Sequence, residues 1–346
     1  MLILQVVKIL IISVISFLLA FLFTPTVYGL LIKIKAGKRI RSKEEAPIMS
    51  AMHQKKAGTP NMAGVIIWGT VSFLAIVLLI LNKLFDGFWG YLDFIDRAQT
   101  YLPLAAMFIA GVLGLADDLI GIFGIKNKSG LKVKQKLIVY FFLAVIGALW
   151  FYFRLGWDIL SIPLIGQIYV GWLYIPIFIL VIVASAFSAN ETDGLDGLLG
   201  GTMLFTYIAL TIVAFALGKY YLATFSGSII GALLAFLWFN IYPAKFFMGD
   251  TGSMALGITA GVIAMLTNTT LILPFFAIIL VIESGSVIIQ TISKKYRGKK
   301  VFLSTPIHHH FEAIGWPETK ITMRFWIISA IFSSFGLVIF FLNQYL

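Results

Sequence analysis

Three short polar motifs stand out from a chain that is otherwise almost entirely apolar. They read N-E-T-D-G-L-D-G at 190–197, F-M-G-D-T-G-S at 247–253 and P-I-H-H-H-F-E at 306–312. Carboxylates are costly in apolar surroundings and usually mark a functional site there. Asp beside Gly at a membrane surface is suited to ligating Mg²⁺ and receiving a diphosphate. The motifs therefore indicate phosphate chemistry assisted by a metal ion.

The acidic motifs also have plainer interpretations. The two Asp-Gly pairs of the first motif are common turn sequences. Gly249-Asp250-Thr251 in the second motif could be the N-cap of a following helix, a metal site, or both. A further pair, Asp117-Asp118, closes an apolar run. Carboxylates at a helix C-terminus oppose the helix dipole, which favours a metal or a lysine as the partner of this pair.

The histidines His308, His309 and His310 first suggest a metal site. In an extended segment neighbouring side chains alternate in direction, so one ion could not easily bind all three. Donation to phosphate oxygens is at least as good an interpretation. Glu283, inside another apolar run, is a candidate functional carboxylate, although an internal hydrogen bond within E-S-G-S is the favoured interpretation.

Composition indicates an all-α integral membrane protein. The chain has 346 residues, of which 60% are hydrophobic and 12% charged, whereas soluble domains average about 25% charged residues. The chain contains no cysteine, which excludes thiol catalysis and disulfides. The first apolar run is uncharged and long enough to span a bilayer, so a cleavable signal peptide is not expected.

The apolar runs predict ten transmembrane helices, since a helix needs roughly 20 apolar residues to cross the hydrocarbon. The polar step at 267–270 divides the run 251–282, whose second piece continues past Glu283 to about residue 292. The other eight runs are 9–32, 57–82, 98–116, 137–153, 159–190, 197–218, 220–244 and 325–346.

Positive charge predicts the orientation. The loops at 33–56, 120–136, 191–196, 245–250 and 293–324 hold 21 of the 26 Lys and Arg residues, while the opposite side keeps Lys8, Lys83, Arg97, Arg154 and Lys219. Such loops face the cytoplasm, which places both termini outside. The stretch 157–170 is then an external hairpin or short amphipathic piece, and residues 1–346 form a single domain.

The same orientation places every acidic motif and the histidines on the cytoplasmic face. One shallow cleft there could gather them, and the basic loops would surround it. Carboxylates for a metal, ringed by lysines, suit an anionic diphosphate substrate.

The motifs resemble those of the phospho-N-acetylmuramoyl-pentapeptide transferases, a family of the polyprenyl-phosphate N-acetylhexosamine-1-phosphate transferase superfamily. The resemblance covers essentially the whole chain. Besides the lysine run that ends at Lys136 and the histidine motif, it rests on K-K-A-G-T-P-N-M-A-G at 55–64, L-A-D-D at 115–118, N-E-T-D-G-L-D-G-L at 190–198 and F-N-I-Y-P-A-K-F-F-M-G-D-T-G-S at 239–253. The aspartate motifs are typical of the superfamily, whereas the triple histidine in this setting is specific to the family. The sequence departs from the family pattern in two places: Asn61-Met62-Ala63-Gly64 replaces Thr-Met-Gly-Gly, and Glu191 replaces an apolar residue.

The resemblance implies a reaction and a location. Phospho-MurNAc-pentapeptide would move from UDP-MurNAc-pentapeptide to undecaprenyl phosphate, giving lipid I and UMP for peptidoglycan synthesis, with Mg²⁺ as cofactor. The protein would be a homodimer in the bacterial cytoplasmic membrane and would contact membrane lipid but no nucleic acid.

The resemblance also implies roles for individual residues. Asp250 corresponds to the Mg²⁺ ligand, Asp117 and Asp118 to the paired aspartates near the metal and the lipid phosphate, and Asp193 to the remaining catalytic carboxylate. The triple histidine corresponds to the family's essential histidine loop. The implied substrate-binding residues are Lys56, Asn61, Lys136, Asn190, Asp196, Asn240 and Phe247. Within this set Lys136 would bind phosphate, Lys56, Asp196 and Asn240 would belong to the nucleoside pocket, and Phe247 would stack on the base.

Two other functions compete with this one. A transporter would carry its polar site near the bilayer midplane, at broken helices and repeats, whereas here the acidic motifs lie at helix ends on one face. A sister transferase that uses UDP-GlcNAc is the nearer alternative, and the P-I-H-H-H-F-E motif disfavours it.

Overall fold

The computed structural model describes residues 2–37, 56, 58–85, 87–123 and 130–345. Several basic residues that carry the orientation argument lie outside these ranges. They are Lys38, Arg39, Arg41, Lys43, Lys55, Lys126 and Lys128.

Helices make up most of the described chain, as predicted. In chain order they are α1 Leu2–Lys33, α2 Val65–Leu84, α3 Phe88–Leu92, α4 Tyr101–Phe123, α5 Val133–Leu149, α6 Tyr174–Thr192, α7 Leu198–Ala216, α8 Tyr220–Asn240, α9 Asp250–Leu266, α10 Leu273–Phe276, α11 Ile278–Arg297, α12 Ile307–Ala313 and α13 Glu318–Tyr345. A π-helical turn, Trp150–Arg154, extends α5, and a 3₁₀ turn, Gly171–Leu173, precedes α6.

Among the described residues, eight helices are long and apolar enough to cross a membrane. This confirms a helical integral membrane protein. Each of the ten predicted runs contains a helix, but α9 has only 17 residues, or about 25 Å. The C-terminal end of α11 carries Lys294, Lys295 and Arg297.

Helix α9 lies at the centre of the bundle. All of its residues after Asp250 are buried, and it packs against α4, α6 and α7. Small residues permit close contact: a Cβ at Gly257 would lie 2.6 Å from the carbonyl oxygen of Ser185 on α6. Close backbone approach through small residues is a general way for helices to pack in membranes. Because protein surrounds α9, this helix does not need the length of a lipid-facing span.

A β-hairpin lies at the far end of α9. Strands β1 Ile159–Ile162 and β2 Gly166–Tyr169 pair antiparallel, with Ile159 opposite Tyr169. The Ser161 N–H donates to Asn268 Oδ1 at 3.0 Å, just beyond the C-terminus of α9. This confirms the hairpin interpretation of 157–170 and places the hairpin opposite Asp250.

Two predicted boundaries near the acidic motifs were wrong. Helix α4 continues to Phe123 instead of ending at the aspartate pair, and Lys136 lies inside α5 instead of in a loop. The helix continues past Asp117 and Asp118 because partners outside α4 satisfy both carboxylates. The Leu131 N–H donates to Asp117 at 2.5 Å and the Thr251 N–H to Asp118 at 3.0 Å.

Candidate active site

Three helices bring two carboxylates and a lysine together. The Lys136 ammonium on α5 lies 3.1 Å from Asp117 Oδ2 on α4 and also pairs with Asp250 Oδ2, the first residue of α9. Asp117 is buried, and Lys136 is largely covered. Taking charges out of water is costly unless they are paired, so this lysine stabilises two acidic groups that would otherwise repel each other.

Asp118 caps the central helix from a neighbouring helix. Its Oδ2 accepts the Thr251 N–H at 3.0 Å, and its Oδ1 accepts the Asn61 amide at 2.9 Å. Gly249, with φ +73°, occupies the N-cap position of α9 and offers no side chain. The N-cap of α9 thus lies within Gly249-Asp250-Thr251, as the sequence suggested, and the Asp250 carboxylate is directed to Lys136 and Asn190.

Glycines allow the backbones to meet at this point. A Cβ at Gly114 would lie 2.6 Å from the Asp250 carbonyl carbon and 2.7 Å from Thr251 Cα. A Cβ at Gly249 would lie 2.6 Å from Asp118 Oδ2. Since real Cβ atoms do not approach this closely, both positions require glycine for α4 and α9 to hold the carboxylates together.

The first two sequence motifs are joined by hydrogen bonds. Asp193, just after α6, accepts the Gly249 N–H at 3.0 Å. The Asn190 amide donates to Asp250 Oδ1 and to Ser253 Oγ, the latter at 3.3 Å. The turn interpretation of the Asp-Gly pairs is also correct, since Gly197 has φ +73°. The turn therefore presents Asp193 to the loop that begins α9.

Lys56 forms a second charged cluster beside Phe247. Its ammonium lies 2.6 Å from Asp196 and 2.5 Å from Glu318, and 5.7 Å from the Phe247 ring centroid. Asp196 also accepts the Ala244 N–H at 3.0 Å. These are the residues expected to form a nucleoside pocket, so the structure does bring Lys56, Asp196 and Phe247 together.

Asn240 lies next to this cluster, and Glu318 belongs to it. Asn240 is buried, with its Oδ1 accepting the Gly197 N–H at 3.1 Å and its Nδ2 donating to the Phe246 carbonyl at 2.8 Å. Its amide thus joins the turn at Gly197 to the segment before α9. Glu318 was missed by sequence reasoning, because a single Glu at the start of a helix is ordinarily a favourable charge at the helix dipole.

The histidine motif folds as helix α12, so the expectation of an extended segment was wrong. Its side chains diverge. His308 Nδ1 lies 3.0 Å from Glu283 on α11, His309 Nδ1 lies 2.6 Å from Glu312, and His310 Nδ1 accepts the Leu303 N–H at 3.3 Å. A single ion shared by all three is not supported. The expected hydrogen bond within E-S-G-S is present, since the Ser286 hydroxyl donates to the Glu283 carbonyl at 2.7 Å, while the Glu283 carboxylate faces His308.

The Glu283 carboxylate governs the charge of His308. Both side chains are fully buried. Burial by itself would lower the pKa of His308, but the neighbouring Glu283 carboxylate outweighs it and raises the pKa above its ordinary value. The imidazolium form is therefore favoured up to a higher pH than in a free histidine.

The donor chemistry around Asp250 fits a magnesium ion. Asp117, Asp118 and Asp250 supply the oxygen ligands that Mg²⁺ prefers. The buried Asn61 Oδ1 beside Asp118 has no hydrogen-bond partner among the described residues. Within the described residues, no three His, Asp or Glu side chains are already arranged as a metal site. The Lys136 ammonium lies between two of the carboxylates and supplies the positive charge there.

Comparison with known proteins shows which family the chain belongs to. Residues 100–268 match the family described as Glycosyl transferase family 4. A phospho-N-acetylmuramoyl-pentapeptide-transferase of Geobacillus sp. (strain WCH70) is 39% identical over 331 residues, which cover 94% of this chain and 96% of the relative. The chain belongs to the phospho-N-acetylmuramoyl-pentapeptide-transferase family.

Other members of this transferase family align over the same extent. The relative from Oceanobacillus iheyensis is 39% identical over 332 residues, covering 94% of this chain and 96% of its own length. That from Bacillus pumilus is 36% identical over 327 residues with the same coverage. The Glycosyl transferase family 4 match contains the carboxylate cluster and Lys136, but the transferase relatives extend beyond it across most of the chain.

Proposed function

We propose that this protein transfers phospho-MurNAc-pentapeptide from UDP-MurNAc-pentapeptide to undecaprenyl phosphate, forming lipid I and UMP. Membership of the transferase family sets the reaction class. The observation that carries the proposal is the meeting of Asp117, Asp250 and Lys136 at one end of a membrane bundle. A water-soluble nucleotide and a lipid phosphate can both reach such a place.

The bundle has ten membrane crossings in this proposal, with α9 and α11 as the eighth and ninth. Both termini lie outside, and the carboxylate cluster faces the cytoplasm of a bacterial cell within its cytoplasmic membrane. The bias of basic residues supports this orientation. Residues 1–346 act as one domain, and the resemblance to the family supports a homodimer.

Asp250, Asp117 and Asp118 would hold Mg²⁺ in the proposed centre. The ion would neutralise charge on the diphosphate. Lys136 pairs with the carboxylates in the structure and is placed to bind a phosphate when substrate arrives. Asp193 fixes the loop before Asp250 through Gly249, while His308, His309 and His310 support the centre from α12.

Phe247, Lys56 and Asp196 form the proposed uridine pocket, with Asn240 holding its wall. Stacking of a base on an aromatic ring contributes about 1–3 kcal/mol. Asn61 and Asn190 complete the proposed substrate-binding set, since their amides contact Asp118 and Asp250 respectively. The Asn61 side chain therefore contacts a carboxylate, while the adjacent backbone at Pro60 and Ala63 hydrogen-bonds to Phe247.

The acceptor attacks the diphosphate directly in this proposal. A phosphate monoester has a second pKa of about 6, so undecaprenyl phosphate is mostly dianionic near neutral pH and has little proton for a base to remove. The main task of the site is to bring two anions together. One phosphoanhydride bond breaks as another forms, so no additional energy source is required.

Release of UMP tests the proposal. Purified protein with Mg²⁺, UDP-MurNAc-pentapeptide and undecaprenyl phosphate should produce UMP and lipid I. UDP-GlcNAc in place of the donor should give neither product, and EDTA should stop the reaction. Turnover of UDP-GlcNAc alone would support the sister transferase, and movement of the donor across vesicles without UMP would support a transporter.

A further inference from the structure

A fully buried acidic side chain lies outside the carboxylate cluster. Glu283 on α11 has no exposed surface, whereas its neighbours Val281 and Ile282 are exposed on the outside of the bundle. Its Oε2 lies 3.0 Å from His308 Nδ1 and 3.4 Å from the His308 backbone nitrogen. A buried carboxylate is expensive unless paired, and this one is paired with a single residue of the histidine motif.

The edge of the His308 ring opposite Glu283 packs against Gly194, in the motif at 190–197. A Cβ at Gly194 would overlap His308 Nε2 and would lie 2.6 Å from Cε1 and 3.1 Å from Cδ2. Only glycine therefore leaves room for this ring. Both ring nitrogens of His308 are buried and make no regular hydrogen bond among the described residues. The ring is therefore positioned by the 3.0 Å charged contact of Nδ1 with Glu283 and by the backbone at Gly194.

Gly194 directly follows Asp193, whose carboxylate accepts the Gly249 N–H at 3.0 Å. Gly249 in turn directly precedes Asp250. A continuous set of contacts thus runs from Glu283 through the His308 ring and the turn at Gly194 to the loop that begins α9.

We propose that Glu283 is a positioning residue for the transfer reaction, holding the His308 ring against Gly194 and so fixing the Asp193 loop beside Asp250. The inference rests on the proposed function, because it concerns the efficiency of that reaction. His308 then acts through its contact with the loop, because its side chain is completely buried and does not reach the substrate.

The charge of the Glu283 side chain contributes to the positioning of His308, in addition to its shape. Glu283 faces the His308 ring from α11, Glu312 and His309 act on it from its own helix, and Glu191 acts from the end of α6. Removing the Glu283 charge leaves the other groups in place. The measured change therefore reports on the Glu283–His308 pair.

Four variants test the inference. Glu283→Gln keeps the shape of the side chain and removes its charge, Glu283→Asp keeps the charge, and Gly194→Ala displaces the ring from the other side. Ser333→Ala, which removes a buried hydrogen bond of 3.1 Å to the Phe276 carbonyl, is the control for loss of a polar contact. Thermal unfolding in detergent identifies variants that are folded at the assay temperature.

Glu283→Gln should lower kcat about 10- to 100-fold, the scale of a misplacement of about 1 Å, while KM for UDP-MurNAc-pentapeptide changes little. The alkaline limb of the kcat profile should move to lower pH, because His308 loses the anionic partner that raises its pKa. Glu283→Asp, which keeps the charge, should recover part of the lost kcat and part of the shift in the pH profile. The double variant with Gly194→Ala should be no worse than the poorer single variant, since both disturb one ring.

Wild-type kcat and an unchanged pH profile in folded Glu283→Gln would overturn the inference. Additive losses in the double variant would overturn it as well, because they would mean that Glu283 and Gly194 act independently. Failure of the proposed function is recognised separately, since wild-type protein would then release no UMP.

Discussion

At the residue scale, the acidic side chains of the site differ in what they contact. Asp250 meets both Lys136 and Asn190, Asp117 meets Lys136 and a backbone N–H, and Asp118 holds the N-terminus of α9. These contacts assign separate tasks to residues that the sequence presents only as a set of aspartates. Each task predicts a different consequence of substitution.

Asp250→Asn should lose nearly all turnover and its response to Mg²⁺, whereas Asp117→Asn should keep measurable UMP release. The acceptor phosphate is already mostly ionised near pH 7, so the proposed direct attack requires Asp117 neither as a base nor as a nucleophile. Steady-state kinetics from pH 6 to about pH 9 measure this, with Asp93→Asn as a buried carboxylate control. A phospho-sugar adduct trapped on Asp117 or Asp193, or UMP release without acceptor lipid, would show double displacement instead.

Phe247→Ala should weaken binding of the UDP-sugar by about 10- to 100-fold, the loss expected for one stacked base. Affinity for undecaprenyl phosphate should change much less, because the proposed site of the lipid phosphate is the carboxylate cluster and not this ring. Titration calorimetry with each substrate measures both constants, and Phe247→Tyr, which keeps the aromatic face, is the matched control. Unchanged donor affinity in Phe247→Ala would place the base elsewhere.

At the element scale, the function depends on how α4 and α9 meet. Helix α9 is buried along its length and receives its N-terminal cap from Asp118 on α4. The two backbones touch at Gly114. The spacing between these helices therefore sets the distance between Asp117 and Asp250.

Gly114→Ala should separate the helices, because the added Cβ would lie 2.6 Å from the Asp250 carbonyl carbon. Overpacking of this kind costs about 1–3 kcal/mol, so both the thermal midpoint and kcat should fall. Gly69→Ala on α2 is the control, since its nearest neighbour, a side-chain atom, would be 3.9 Å away. Equal behaviour of the two variants would contradict the close contact.

At the scale of the whole molecule, the two ends of the bundle carry different structures. The carboxylates and the histidine helix occupy the end at which α9 begins. The hairpin and Lys219, whose ammonium donates to the Leu266 carbonyl at 2.6 Å, occupy the other end. This separation of the two ends is compatible with the orientation proposed from the basic residues.

Reporter fusions test that orientation. Alkaline phosphatase should be active when fused after Gln344 and inactive when fused at Lys299, while a fluorescent protein should show the reverse. The reason is the strong preference of Lys and Arg for cytoplasmic loops. The same signal at both positions would refute the topology and the proposed cytoplasmic cleft.

The sequence by itself determined the helical membrane character and the approximate helices. Crossing hydrocarbon requires about 20 apolar residues in one stretch, and such stretches are visible without any partner. The motifs around Asp193 and Asp250 were equally visible, because ionisable groups are rare in this chain. Local turn signals also placed the hairpin at 157–170.

Only the tertiary structure decided which residues act on one another. The cap of α9 comes from Asp118, the partner of His308 is Glu283, and Lys56 binds Glu318, 262 positions away. Each contact joins separate helices or loops. Apolar runs of similar hydrophobicity do not specify which helices become neighbours. Which helices become neighbours depends on close packing at residues such as Gly114 and Gly194. The lack of a side chain at these glycines is informative only when the residue packed against each one is known.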